Sequence, residues 1–562
     1  MFLIGISSLI QCWFLPGLLI LAKFKKIGIL DKFILSLPIS IIANYILVIL
    51  LVNFKLFDQK VLIGIIIFEF LLAVYFYKNY FKNIFKIQTI TFQFNLINIL
   101  NIILIFVFLY LASKSIGIII HSGDPYVMWN KWAISIFENS LPISSLDYPL
   151  GYPILQSISY KIIGTYEIEF FSQALQIIYP LFSIVALLRI LVITKNNLFK
   201  YVLLFSLLLI LNQFRHTLFI GFVDPILVFN SIILIYLIYL IKENKNLLND
   251  KIFLIILGIV LSASGIIKQT GLYISFIAPL ILFFCLDLKY KLINFKNLII
   301  LFFVIFLLVT PLYLYKFYLY IYDSGSLNAL NLISLQEEKT FLEKISRTSK
   351  LIFGLGLFVI IPILIFAAKN KISRIFLLFI IMPYFLIWSF FYGNDARNFA
   401  LILPFIAFCI ADLLYDLEKN FLIKLSNKFS NIFSYILVIL LIVFVSEKRD
   451  FEYMYKKNKE QMENRTPHKK VNILLYHYKK IAIKDSNIFF SDNSFSYLPK
   501  FKNGKFLLCN ESASEFLKNK NEKIFYLYNK KNCQKEFLDS YFIKKESKII
   551  FDEYNFVLIS NY

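Results

Sequence analysis

Apolar runs of about 20 residues recur from Met1 to about Val445, each long enough to cross a hydrocarbon core of about 30 Å. Wherever such a chain meets lipid, its backbone polar groups must be satisfied inside helices. Composition agrees. Of 562 residues, 59% are apolar and 17% charged, against about 45–50% and about 25% in soluble domains. These departures exclude a soluble cytoplasmic enzyme, a disordered tail and a nucleic-acid-binding domain. Lys and Arg outnumber Asp and Glu by 58 to 35. The basic residues nevertheless sit mostly in short loops, where they set topology and meet anionic headgroups.

Hydropathy predicts about fourteen spans, near 2–22, 33–52, 61–77, 97–118, 168–188, 200–212, 224–241, 252–267, 271–287, 298–319, 351–368, 375–391, 399–416 and 431–446. The first run lacks the basic start and small-residue cleavage site of a signal peptide and reads as a span. Seven basic clusters fall in every second loop, from Lys23/Lys25/Lys26/Lys32 through Arg189/Lys195/Lys200 to Lys419/Lys424/Lys428. The positive-inside rule makes that side cytoplasmic and puts the N-terminus outside.

The chain therefore reads as an all-α polytopic membrane domain, 1–446, with an outer loop at about 119–167, followed by a soluble domain, 447–562. Span parity puts the soluble domain outside. Short alternating runs at Lys523–Tyr528, Lys548–Phe551 and Phe556–Ser560 predict strands there, hence a small α/β or α+β domain. Cys509 and Cys533 are its two cysteines. An outside location permits a disulfide between them, although sequence leaves the pairing open. There is no internal repeat and no matching pair of broken spans of the kind secondary transporters carry.

Charge is costly at membrane depth, so ionisable residues at span ends are the functional candidates. The first outer cluster runs from His121 through Asp124, Pro125, Tyr126, Trp129, Asn130 and Trp132 to Ala133. Spacing from Tyr126 to Phe137 predicts a helix lying in the interface, with Trp129 and Trp132 at headgroup level. The plainer alternative is that Asp124 only caps that helix. The second cluster is Asp147-Tyr148-Pro149-Leu150-Gly151-Tyr152-Pro153, a rigid turn that re-enters the membrane surface.

An acidic residue beyond an early span, then Trp129-Asn130-Lys131-Trp132-Ala133, then Asp147-Tyr148-Pro149 with Pro153, resembles the C-type (GT-C) membrane glycosyltransferase superfamily. The likeness is to the branch of protein O-mannosyltransferases and lipid A aminoarabinose transferases. Gly221-Phe222-Val223-Asp224-Pro225, Lys268-Gln269-Thr270-Gly271-Leu272 and Asp395-Ala396-Arg397-Asn398 resemble its later motifs, in the same order, over roughly 115–410.

The resemblance implies transfer of a sugar, with inversion, from a polyprenyl-phosphate donor to an envelope glycan, lipid or protein acceptor. It makes Asp124 the general base that takes the acceptor proton. Lys268 and Arg397 would stabilise the leaving phosphate, with His121 and Arg215 as weaker candidates. Asp147 and Asp224 would orient sugar hydroxyls or position those cations, beside Tyr148, Trp129 and Asn130. The structural alternatives are a surface ion pair for Asp147, a helix N-cap for Asp224, and snorkelling for Lys268 and Arg397. No cofactor is expected, and a divalent cation on Asp124 and Asp147 stays open. The competing functions are a lipid-linked-sugar flippase or transporter and an O-antigen polymerase or ligase.

Overall fold

The computed structural model describes residues 2–81, 96–115, 119–120, 124–142, 148–214, 221–290, 295–322, 343, 370–389, 396–422, 451–477, 488–491, 495, 505–518, 523–540 and 542–561. The chain forms two compact units: residues 1–118 with 142–450, and residues 119–141 with 451–562.

The first unit is helical. Among the described residues, six helices are long and apolar enough to cross a membrane, and a bent pair makes a seventh. The pair is α1 (Phe2–Trp13) and α2 (Leu15–Leu21), which meet at 44°. Pro16 in the first turn of α2 has no N–H to continue the ladder from α1. Then come α3 (Ile29–Asn53), α4 (Gln59–Phe81) and α5 (Leu96–Ser115). A short helix, α7 (Gly151–Ile163), precedes α8 (Phe170–Ala174) and α9 (Ile178–Thr194), which together make one span. Next are α10 (Leu198–Phe214), α11 (Asp224–Glu243), α12 (Lys251–Ile267), α13 (Gly271–Tyr290) and α14 (Phe295–Tyr322). Helical segments at Lys371–Ile387 and Ala396–Leu422 are the last of the unit's described residues. Each predicted span within the described residues coincides with one of these helices or a run of them. The spans predicted near 351–368 and 431–446 lie outside the described residues.

Burial separates the centre from the rim. The α11 window is 94% buried, packed by α9, α12, α13 and Leu403–Leu422, whereas the windows of α4 and α14 are 17% and 22% buried. The poorly buried helices carry their apolar side chains outward, as lipid contact requires. In lipid, packing and interhelical hydrogen bonds take over from the hydrophobic effect. One such fastening is Asp31. Arg189 donates to it twice, Nε to Oδ1 at 2.7 Å and Nη2 to Oδ2 at 2.9 Å, and the Tyr236 hydroxyl donates to Oδ1 at 2.8 Å. One carboxylate thus ties α3, α9 and α11. Outside the spans, Lys26 pairs with Asp250 at 2.9 Å, and this hydrogen bond holds the Asp250 carboxyl below its usual range.

α7 has 13 residues, about 20 Å of helix at about 1.5 Å per residue. That is too short to span, and all of it except Lys161 is buried. The apolar run after the Pro-rich turn is therefore a core helix, ended by Gly164 in the left-handed region (φ 87°).

The second unit joins the loop 119–141 to the tail. Loop and tail therefore fold as one body. The loop carries a π-helical turn, Pro125–Asn130, running into α6 (Lys131–Phe137). The tail opens with a polar helix, Phe451–His477. A five-stranded sheet follows: β1 (Ile488–Phe490), β2 (Lys505–Phe506), β3 (Phe525–Asn529), β4 (Lys548–Glu553) and β5 (Phe556–Ser560), in the order β2-β1-β3-β5-β4. β1 runs parallel to β2 and β3, while β5 runs antiparallel to β3 and β4. The β4–β5 hairpin turns through Tyr554 (φ 53°) and Asn555 (φ 67°), the two positive φ values of a type I′ turn. Cys509 and Cys533 form a disulfide that joins the approaches to the helices Glu511–Leu517 and Lys535–Asp539.

Trp129 is 1% exposed and Trp132 8%. Protein therefore covers both side chains. Helical spacing of apolar residues reports a covered face but not whether lipid or protein covers it.

Candidate functional site

The first unit gathers three sequence-distant motifs at the start of α11. The turn into the helix passes through Gly221 at φ 104°, a conformation that favours glycine. The Gly221 N–H donates to Gln176 Oε1 at 2.6 Å. Asp224 and Pro225 then open α11, where a proline loses nothing and an acid meets the positive end of the helix dipole.

Lys268 follows the last turn of α12 in extended backbone (φ −153°, ψ 149°). The chain reverses at once, the Gly271 N–H donating to the Lys268 carbonyl. A Cβ on Gly271 would stand 2.0 Å from the Ser264 carbonyl oxygen, so only glycine lets α13 begin there. This tight reversal aims Lys268 at α11. Its Nζ lies 2.8 Å from Asp224 Oδ1, with side chains 7% and 0% exposed. Asp224 therefore pairs across helices, and neither it nor Val223 makes a side-chain N-cap hydrogen bond. Lys268 does not snorkel. Asp224 Oδ2 and Thr270 Oγ1 are both buried without a hydrogen-bond partner.

Arg397 stands in the 3-10 helix Ala396–Ile402. Its guanidinium covers the ring of Phe222, 4.5 Å from the centroid, a cation–π contact two residues before Asp224. Around it, the Tyr384 hydroxyl donates to the Asn398 carbonyl at 2.7 Å, and the Ser231 hydroxyl to the Leu401 carbonyl at 2.7 Å. These bonds fix the Arg397 segment to its neighbours.

The Pro-rich turn reaches the same place. A Cβ on Gly151 would stand 2.5 Å from the Ile266 carbonyl oxygen. The start of α7 thus lies directly on the last turn of α12, beside Lys268, and half-buried Tyr148 comes just before it. Asp147, His121 and Arg215 lie outside the described residues.

Asp124, Trp129 and Asn130 belong to the second unit. Asp124 has helical backbone angles (φ −52°, ψ −42°) and makes no side-chain cap hydrogen bond, with Pro125 in the first turn after it. The capping role is not the one it performs. Trp129 and Asn130 are buried, on a π-helical turn of the kind often found at functional sites.

The sequence reading missed a set of buried, unpartnered polar atoms in the first unit. Tyr152 Oη, both amide atoms of Gln156, Gln176 Nε2, Tyr179 Oη and both amide atoms of Asn230 are buried without hydrogen-bond partners. Buried polar atoms are normally satisfied, so such a set calls for water or a hydroxylated ligand. Polar residues inside otherwise apolar runs were the available signal. By contrast, a groove of about 520 Å³ along α13 and α14, lined by Phe276, Phe295, Leu298, Phe302, Phe303 and Phe306, offers no polar group for chemistry. Among the described residues, no group of three His, Cys, Asp or Glu side chains could hold a metal ion.

No protein-family model, curated protein or solved structure matches the chain.

Proposed function

We propose that this integral membrane protein is a glycosyltransferase of about fourteen spans, acting on the extracytoplasmic face. It moves a sugar from a polyprenyl-phosphate donor to an envelope glycan, lipid or protein acceptor. One observation carries the reading: Asp224, Lys268 and Arg397, far apart in sequence, converge at one end of α11, with the Pro-rich turn on the same α12 terminus. The family resemblance requires these motifs to act together, and unrelated topology anchors would have no reason to meet.

In this reading the acceptor oxygen attacks the anomeric carbon on the face opposite the phosphate. Asp124 takes its proton as the new C–O bond forms. The bond to the phosphate oxygen breaks, and that oxygen leaves with the electron pair. Arg397, spread on the Phe222 ring, offers the planar donors that grip a phosphate. Asp224 neutralises Lys268 in the resting state and positions it, so Lys268 supports the site rather than presenting a bare charge. The unpaired hydroxyl and amide groups of Tyr152, Gln156, Gln176, Tyr179 and Asn230 suit a sugar. The Cys509–Cys533 disulfide supports an oxidising, extracytoplasmic side for the tail.

A transport reading has one observation in its favour. Glu69 sits midway along α4 with Oε2 buried and unpaired, as charges lining a membrane path do.

The test incubates purified protein with radiolabelled polyprenyl-phosphate sugars and a panel of envelope acceptors. Transfer by the wild type and its loss in Asp124→Asn and Arg397→Ala are expected. Equal transfer by wild type and Asp124→Asn removes the base. Movement of lipid-linked sugar across liposomes without any transfer, abolished in Glu69→Gln, replaces the enzyme with a flippase.

A further inference from the structure

The tail has no role in the reading above, yet it contacts the segment that carries Asp124. The guanidinium of Arg465, on the helix Phe451–His477, lies 3.7 Å from the centroid of the Tyr126 ring, two residues after Asp124. Both residues are buried, at 6% and 8% exposure. A desolvated Arg on an aromatic face is among the stronger cation–π geometries.

That contact lies at one end of a continuous helical face. His468 and Val471 follow Arg465 at successive steps of three residues, and both are buried. The His468 ring stacks on Phe495 at 4.6 Å and meets Phe556 edge-on at 5.0 Å. Val471 belongs to the sheet core with Ile488, Phe490, Phe495 and Phe556. The face is therefore anchored in a rigid sheet, and Arg465 projects from it onto the loop. On the loop side, Tyr126 packs on Ile120 and is the second residue of the π-helical turn Pro125–Asn130. A π-helical turn is a rare local conformation that persists when its surroundings hold it.

We infer that Arg465 is a positioning residue: the tail domain serves as the mount of the Asp124 loop, holding the turn after Asp124 through the Tyr126 face. The catalytic consequence rests on the reading of Asp124 as general base. The positioning itself rests on the contacts within this unit alone. A carboxylate held in register loses catalysis when its support slackens, even if substrate still binds.

The experiment uses the full-length protein in detergent and has two arms. In the structural arm, Tyr126→Cys and Arg465→Cys are combined and treated with a short bifunctional maleimide. Cross-linking in the double variant and in neither single variant is expected. Limited proteolysis between 119 and 141 is expected to rise several-fold in Arg465→Ala and to return towards wild type in Arg465→Lys, which keeps the cation. In the kinetic arm, Arg465→Ala is expected to lower kcat by about tenfold or more with the donor KM unchanged, and Arg465→Lys to recover part of the loss. Absence of the cross-link, or unchanged proteolysis in Arg465→Ala, overturns the positioning role. So does a kcat equal to wild type in a preparation that transfers sugar. If cross-link and proteolysis behave as stated while Asp124→Asn transfers normally, the mount stands and the general-base reading falls.

Discussion

The Lys268 ammonium lies 2.8 Å from Asp224 Oδ1, with the two side chains 7% and 0% exposed. A charge so placed has no water to fall back on, and each partner is tolerable only because of the other. Lys268→Met alone leaves a buried carboxylate and should cost about 3–5 kcal/mol; Asp224→Asn leaves a buried ammonium and should cost a similar amount. The double variant Asp224→Leu/Lys268→Met should recover most of that loss while leaving sugar transfer abolished. Thermal and denaturant unfolding in detergent, read as a double-mutant cycle, checks the point. Additive losses in the double variant would mean that the pair is not coupled.

Asp31 should behave differently towards its two partners. Arg189→Ala removes the whole bidentate cation from a carboxylate that is 3% exposed, with an expected loss of about 3–5 kcal/mol. Tyr236→Phe removes one hydroxyl and should cost about 1–2 kcal/mol. Unfolding of the two variants side by side gives the ratio, and equal losses would contradict it.

Gly151 and Gly64 make a matched comparison. A Cβ on Gly151 meets the Ile266 backbone at 2.5 Å, whereas one on Gly64 meets nothing within 4 Å. Gly151→Ala should destabilise by about 1–3 kcal/mol and reduce transfer, because α7 and the turn before it must lift off the end of α12. Gly64→Ala should leave stability and transfer at or above wild type. Melting temperatures of both variants decide this.

The tail disulfide tests the side of the membrane. Cells denatured directly in a mass-tagging maleimide should yield a chain in which Cys12, Cys285 and Cys409 react, while Cys509 and Cys533 react only after reduction. Tagging of all five without reductant would put the tail on the reducing side. In purified protein, Cys509→Ala should cost the tail about 3 kcal/mol, the closure entropy of a loop of this size.

The legible part of this protein was whatever a bilayer imposes on a single segment. Each predicted span that falls among the described residues is helical, because lipid offers the backbone no other partner and apolar length alone signals it. β5 was read from its own pattern, as were most of β3 and β4. β1 and β2, with three and two residues, were too short for any period to show. The residues Asp224, Lys268 and Arg397 could be picked out as charges at span ends. That Lys268 spends its charge on Asp224, and that Arg397 lies on Phe222, could not be, since both depend on which helix ends meet.

The same division holds for the molecule as a whole. Sequence alone determined that the chain is a helical membrane protein with a small strand-bearing tail, because hydropathy and strand alternation are properties of consecutive residues. Only the tertiary structure decided that loop 119–141 packs with the tail, that α7 is a buried core helix, and that Arg189 leaves the basic loop to grip Asp31. Those outcomes are contacts between residues up to hundreds of positions apart, and a contact of that kind leaves no periodic trace in either partner.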